Sequence, residues 1–110
     1  MVAASVSRPE SADQLHEVIR QAVADETRLA VVGAGSKRRM GRPIDTQREI
    51  DLSVLCGVKL YEPEELVLTA AAGTPLAEIE QITAEHDQQL AFEPPDLGPV
   101  LGEPSGQGTV

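Results

Sequence analysis

The chain has 110 residues and carries 9 Lys and Arg against 18 Asp and Glu, a net charge of −9. That length allows one small domain with a modest core, and the acid excess argues against nucleic acid as the main partner, because a phosphate backbone demands a broad basic face. No apolar run reaches membrane-spanning length and Met1–Ser5 lacks the basic start of a secretion signal, so the cytoplasm is the expected compartment.

In chain order, Arg8-Pro9-Glu10-Ser11 reads as an extended entry to a helix, with Ser11 and Gln14 spaced as a capping box. Leu15, Val18, Ile19, Ala22 and Val23 then recur at helical spacing as one apolar stripe. His16 falls off that stripe and is expected to be exposed. Leu29–Val32 is a short apolar run that predicts a buried strand, parallel to its neighbours because a helix precedes it. Glu49-Ile50-Asp51-Leu52 alternates as a half-buried strand does, and Val58–Glu62 is similar, ending at Pro63. Glu65–Gly73 predicts another strand running into small residues. Thr74-Pro75 then opens a second helix, Thr74 as cap and Pro75 at its first position, ending near His86. Leu90-Ala91-Phe92 predicts a short last strand. Tyr61 and Phe92 are the only aromatic residues, so the core must be aliphatic. Cys56, the single cysteine, can form no intrachain disulfide and reads as a small buried hydrophobe rather than a nucleophile or metal ligand.

The most informative stretch follows the Leu29–Val32 run. Gly33-Ala34-Gly35-Ser36 gives way to Lys37, Arg38, Arg39 and Arg42, four of the chain's 9 cations. Glycines let main-chain N–H groups approach a ligand closely and point the same way. Amides converging beside cations make a place for an anion, a phosphate above all. A solvated basic loop remains the bland alternative. The Walker spacing is absent, and Arg38 stands where the dinucleotide fingerprint needs glycine. All nine basic residues occur at or before Lys59, which leaves the second half purely acidic, either a solvated surface or a face for a basic partner. Beyond Phe92 the chain is rich in Gly and Pro, yet Leu97, Val100 and Leu101 are apolar, which argues for a structured loop over a disordered tail.

Taken in order, Arg8-Pro9-Glu10-Ser11, Val32-Gly33-Ala34-Gly35-Ser36-Lys37, Gly41-Arg42-Pro43, Asp51-Leu52-Ser53, Tyr61-Glu62-Pro63-Glu64-Glu65-Leu66-Val67, Thr69-Ala70, Gly73-Thr74-Pro75-Leu76 and Leu90-Ala91-Phe92-Glu93-Pro94-Pro95 span nearly the whole chain. This set resembles the N-terminal part of the FAD-binding domain of the vanillyl-alcohol oxidase/p-cresol methylhydroxylase (PCMH) family. Within it, the set is most similar to the FAD-binding subunits of bacterial glycolate oxidases.

The resemblance implies an α/β (α+β) fold in which a small parallel or mixed sheet packs against helices. Residues 1–110 would form the first lobe of a PCMH-type domain, with the second lobe and the substrate domain absent. FAD would lie between the lobes, its pyrophosphate held by Gly33, Ala34, Gly35, Ser36 and Lys37, with Pro95, Gly108 and Thr109 approaching from the other side. Arg38, Arg39 and Arg42 could add charge. Ser36 stands where some members carry a flavin-tethering histidine, so the FAD is expected to be non-covalent. The implied activity is that of a flavin-dependent 2-hydroxy-acid dehydrogenase or oxidase, with hydride passing from an acid such as glycolate to FAD. Other subunits of a glycolate oxidase complex are the implied partners, and the only implied route to a membrane is through them. The family's substrate-activating residues usually lie in the missing part, so no catalytic residue and no metal ligand is nominated, and this stretch alone is expected to be inactive. The alternative is a non-catalytic interaction lobe that no longer binds flavin.

Overall fold

A computed structural model describes residues 5–109. Two small sheets and three helices follow in the order β1 (Ser5–Ser7), α1 (Ala12–Ala24), β2 (Leu29–Val32), β3 (Arg48–Asp51), β4 (Val58–Glu62), β5 (Val67–Ala70), α2 (Leu76–Ala84) and α3 (Gly98–Leu101). The first sheet is three-stranded and parallel in the order β1-β3-β2. The second is the antiparallel β4–β5 hairpin, irregular between Val58 and Leu60.

α1 starts where the sequence predicts. Ser11 Oγ accepts from the Gln14 N–H at 3.2 Å, and Gln14 Oε1 reaches back to the Glu10 N–H at 2.9 Å, one residue earlier than a standard capping box. Its stripe buries Ala22 and half-buries Leu15 and Val18, while Val23 is exposed. His16 is exposed as expected. β2 has its predicted bounds and parallel pairing, but it is not the buried strand expected: as an edge strand it is half-buried, with Val31 exposed. Ile50, on the central strand, is buried together with Ala22, Leu76 and Ile79, so the core is small and aliphatic.

Four further expectations need correction. The strand expected over Glu65–Gly73 is only Val67–Ala70. Pro63–Glu65 is a 3-10 turn that Leu66 closes in the left-handed region at φ 58°, which shapes the hairpin loop instead of extending the strand. Leu90–Phe92 forms no strand and pairs with neither edge of the hairpin. Leu90 and Phe92 instead line a cleft of about 680 Å³ with Tyr61, Leu68 and Ile79. Cys56 is exposed, since the turn that carries it points its side chain outward while its N–H bonds to Val54 O at 3.0 Å. Thr74 does not cap α2. Pro75 holds that position, and the Thr74 hydroxyl is buried against the Ala71 and Gly57 carbonyls, also accepting from the Gly57 N–H at 2.9 Å.

Candidate functional site

The last rung between β3 and β2 runs from the Leu52 N–H to Val32 O at 2.8 Å, and after it the chain leaves the sheet. β2 is an edge strand, so the residues that follow are not recruited into a ladder. Gly35 turns the chain through the left-handed region at φ 74°, where a Cβ is costly. Two weak turns then close the loop, Arg38 N–H to Gly35 O at 3.4 Å and Met40 N–H to Lys37 O at 3.0 Å. Between rung and turns, the N–H groups of Gly33, Ala34, Gly35, Ser36 and Lys37 meet no hydrogen-bond acceptor among the described residues. A run of unpaired amides bent around a left-handed glycine is the local geometry that receives anions.

The opposite wall comes from the Gly/Pro-rich segment, which is ordered by its own polar contacts. Asp96 Oδ2 accepts from Ser105 Oγ at 2.6 Å and from the Gly106 N–H at 2.9 Å. These bonds hold its carboxyl below the usual carboxylate range, the Ser105 hydroxyl contributing most. The segment then crosses the start of α2, where Gly108 O accepts from the Leu76 N–H at 2.7 Å and Gly106 O from the Ala77 N–H at 3.1 Å. Those carbonyls satisfy the helix donors that Thr74 was expected to serve. Beyond them Thr109 lies over Gly33, where a Cβ would stand 2.8 Å from Thr109 Cγ2. A Cβ on Gly108 would stand 3.4 Å from Ser36 Oγ, and Ser36 itself is buried.

Gly33, Ser36, Gly108 and Thr109 are therefore brought together, with Ala34 and Gly35 in the same turn and Lys37 exposed on its rim. Pro95 is exposed on the approach to α3, and no hydrogen bond ties it to the turn among the described residues. Val110, which completes the second motif in the sequence, lies outside the described residues.

The four cations fare differently. Arg38 grips Glu49 with both ends of its guanidinium, Nη1 to Oε2 and Nη2 to Oε1, each at 2.7 Å. The hydrogen bonds from Arg38 hold the Glu49 carboxyl below its ordinary value and raise Arg38 in return. Lys37, Arg39 and Arg42 are exposed and form no ion pair among the described residues. So Arg38, expected to lend charge to a ligand, is neutralised by a neighbour. Glu49 was missed as a site residue because its alternation with Ile50 reads as an ordinary half-buried strand. The available signal was an acid at i and i+2, Glu49 and Asp51, close behind a basic loop in an acidic chain. Asp51 is likewise held low, first by Ser53, whose N–H it accepts at 2.9 Å, and then by Arg8 at 3.0 Å.

These residues fit a diphosphate. The amides are unpaired, the glycines stand where side chains would fill the cradle, and Lys37, exposed, ends the run. Among the described residues no cluster of His, Cys, Asp and Glu could hold a metal ion, and no helix is long and apolar enough to cross a membrane.

Two comparisons with known proteins bear on this site. A family model described as an FAD binding domain matches residues 3–108. Glycolate oxidase subunit GlcE of Escherichia coli (strain K12) is 42% identical over 84 residues, which make up 76% of this chain and 24% of that protein. The chain thus spans about a quarter of the length of that relative, 24%.

Proposed function

Since this chain belongs to the FAD binding domain family, whose cofactor is FAD, we propose that residues 1–110 form the first lobe of a PCMH-type domain that holds FAD non-covalently. The observation that carries this is the run of unpaired amides from Gly33 to Lys37, bent at Gly35 and walled by Gly108 and Thr109. Gly33, Ala34, Gly35 and Ser36 would donate main-chain hydrogen bonds to the pyrophosphate, and Lys37 would add a point charge at the rim. Gly108 and Thr109 would close the cradle. Pro95, further off, would meet the cofactor only as part of the approach from the second lobe. Ser36 stands where a tethering histidine would be, which supports non-covalent attachment.

The complete protein would be a flavin-dependent 2-hydroxy-acid dehydrogenase or oxidase in the cytoplasm, acting on an acid such as glycolate within a multi-subunit glycolate oxidase complex. The identity to GlcE supports this reading. FAD, when bound, supplies the hydride acceptor. This chain's own residues would bind and orient it, and no catalytic residue is assigned among them.

The test is the flavin content of the protein expressed from its complete reading frame. Near-stoichiometric FAD released on denaturation supports the proposal. A folded product that neither carries FAD nor takes it up overturns it in favour of an interaction lobe. Gly35→Ala sharpens the outcome, with Gly35→Val as its bulkier counterpart, because the left-handed backbone there costs a side chain about 1–2 kcal/mol and a β-branched one more. The Cβ would stand 2.7 Å from Arg38 Nε and displace that side chain, whose partner Glu49 is itself on the sheet and not in the turn. Gly35→Ala is expected to fold but lose flavin.

A further inference from the structure

We propose that Arg38 and Glu49 form a latch that holds the Gly33–Lys37 amides in their anion-binding arrangement, both acting as positioning residues that do not touch the ligand. The inference rests on the FAD reading above, and it reverses the role that the sequence gave Arg38.

The geometry makes the case. The loop leaves β2 at the Leu52–Val32 rung and has little else to fix its far side, since its own turn bonds are few and one is 3.4 Å long. Arg38 supplies the missing anchor. Its side chain crosses Gly35, with Nε 2.7 Å from where a Cβ would stand, and ends in a two-pronged grip on Glu49. Glu49 belongs to β3, the central strand of the sheet, and its side chain is only 14% exposed. A planar guanidinium held at two points fixes orientation as well as distance, which a single hydrogen bond does not. Gly35 is thus needed twice, for its positive φ and for the space that Arg38 occupies.

The charges exclude the simpler role. A guanidinium already paired with a carboxylate presents little net charge to a phosphate, and an acid placed near a phosphate site is unfavourable unless something else requires it. Position is that requirement here. Lys37, Arg39 and Arg42 remain exposed for attraction.

The two roles predict opposite signs for one substitution. Glu49→Gln removes a negative charge and frees Arg38, so a direct charge role tightens binding of an anionic ligand, whereas a latch weakens it. The experiment uses the complete protein stripped of flavin and measures FAD dissociation constants by flavin fluorescence. It compares wild type, Glu49→Gln, Arg38→Met, the double variant and Arg38→Lys. Each single loss is expected to weaken FAD by about fivefold, the upper range for a partly exposed ion pair. The double variant should be no worse than either single one. Arg38→Lys should fall between, because lysine restores the charge but not the fork. In the flavin-free protein, exchange of the Arg38 and Met40 N–H groups should quicken in the same variants, a readout that needs no cofactor.

Tighter or unchanged binding in Glu49→Gln, additive losses in the double variant, or unaltered exchange would each overturn the latch. If Glu49→Gln does not fold, Arg38→Met, placed on an exposed turn, carries the test with its exchange rates. Wild-type protein that takes up no FAD overturns the reading of the preceding subsection. Wild-type uptake with an unmoved Glu49→Gln constant overturns the latch alone.

Discussion

Two strands in this chain end in turns built of glycine and other small residues, and the amides of those turns meet different fates. After β2, Gly33–Lys37 keeps its N–H groups unpaired among the described residues. After β5, Ala71–Leu76 uses its own: Ala71 donates to Gly57 O, Gly73 to Leu55 O, Thr74 to Ala71 O and Leu76 to Gly108 O, all within 3.0 Å. The residue types are nearly interchangeable, and what differs is the supply of carbonyls. The second turn is pressed against the 52–57 segment and crossed by the Gly106–Gly108 backbone, so all its donors but the Ala72 N–H are consumed within the fold. The first leaves an edge strand, and no main-chain carbonyl of the described residues reaches its N–H groups, so its donors stay available. A glycine-rich turn after a strand keeps its donors for a ligand only where no neighbouring backbone reaches it first.

The sharpest way to break that contrast is to put a side chain on the glycine of each turn. At Gly73 a Cβ would stand 1.9 Å from Leu52 O and 2.8 Å from Leu55 O, both main-chain atoms with no freedom to yield. Gly73→Val should therefore cost more than about 4 kcal/mol, the range kept for severe core disruption, and leave little folded protein. Urea denaturation of the complete protein checks this. A small stability loss there would mean that the two backbones are not locked together, and the contrast with Gly35→Ala, which should spare the fold and remove the flavin, would vanish.

A smaller effect is expected at Thr74, which is buried and whose hydroxyl joins the Gly57 N–H to the second turn at 2.9 Å. Thr74→Val keeps the shape and removes the acceptor, so the half-buried Gly57 N–H loses its partner at a cost of about 1 kcal/mol. Thermal unfolding should register that loss while FAD affinity stays within twofold or so, because the Gly33–Lys37 amides take nothing from Thr74. A parallel loss of affinity would show the two turns to be one cooperative unit.

Much of this was legible in the sequence, for reasons that are local. The Leu15–Ala22 spacing and the Ser11–Gln14 cap are encoded within one turn of helix, and Leu29–Val32 announces itself by β-branching and by the glycine that ends it. Gly33–Ser36, Gly108 and Thr109 were picked out from sequence and are adjacent in the fold. The rest depended on long-range partners. The donors of α2 are met by carbonyls about 30 residues downstream, from Leu76 N–H to Gly108 O, so the local cap at Thr74 had a competitor that periodicity does not register. Leu90–Phe92 has strand composition but pairs with no strand. Arg38 and Glu49 are 11 residues apart and pair only because β3 lies next to β2.

The finest distinction between the two regions is one of pH. Each is fastened by a carboxylate held below its ordinary value, Glu49 for the open loop and Asp96 for the segment that closes the other. A carboxyl whose value is lowered by folding adds stability that is complete above its unfolded value and is lost as pH falls through the folded one. For Asp96 the unfolded reference is 3.8, so its grip on Ser105 and Gly106 is intact at neutral pH and released only below that value. Asp96→Asn should lower the melting temperature of the complete protein by a constant amount above pH 4, since an amide oxygen accepts these bonds more weakly than a carboxylate. The gap between variant and wild type should close as the wild-type carboxyl takes up its proton. Because Gly106 and Gly108 present their carbonyls to α2 from this segment, the same acid step should quicken exchange of the Leu76 and Ala77 N–H groups in wild type. It should do nothing further in the variant. A gap that persists unchanged after the wild-type carboxyl has taken up its proton would mean that Asp96 acts by shape and not by charge, and that the second turn closes without it.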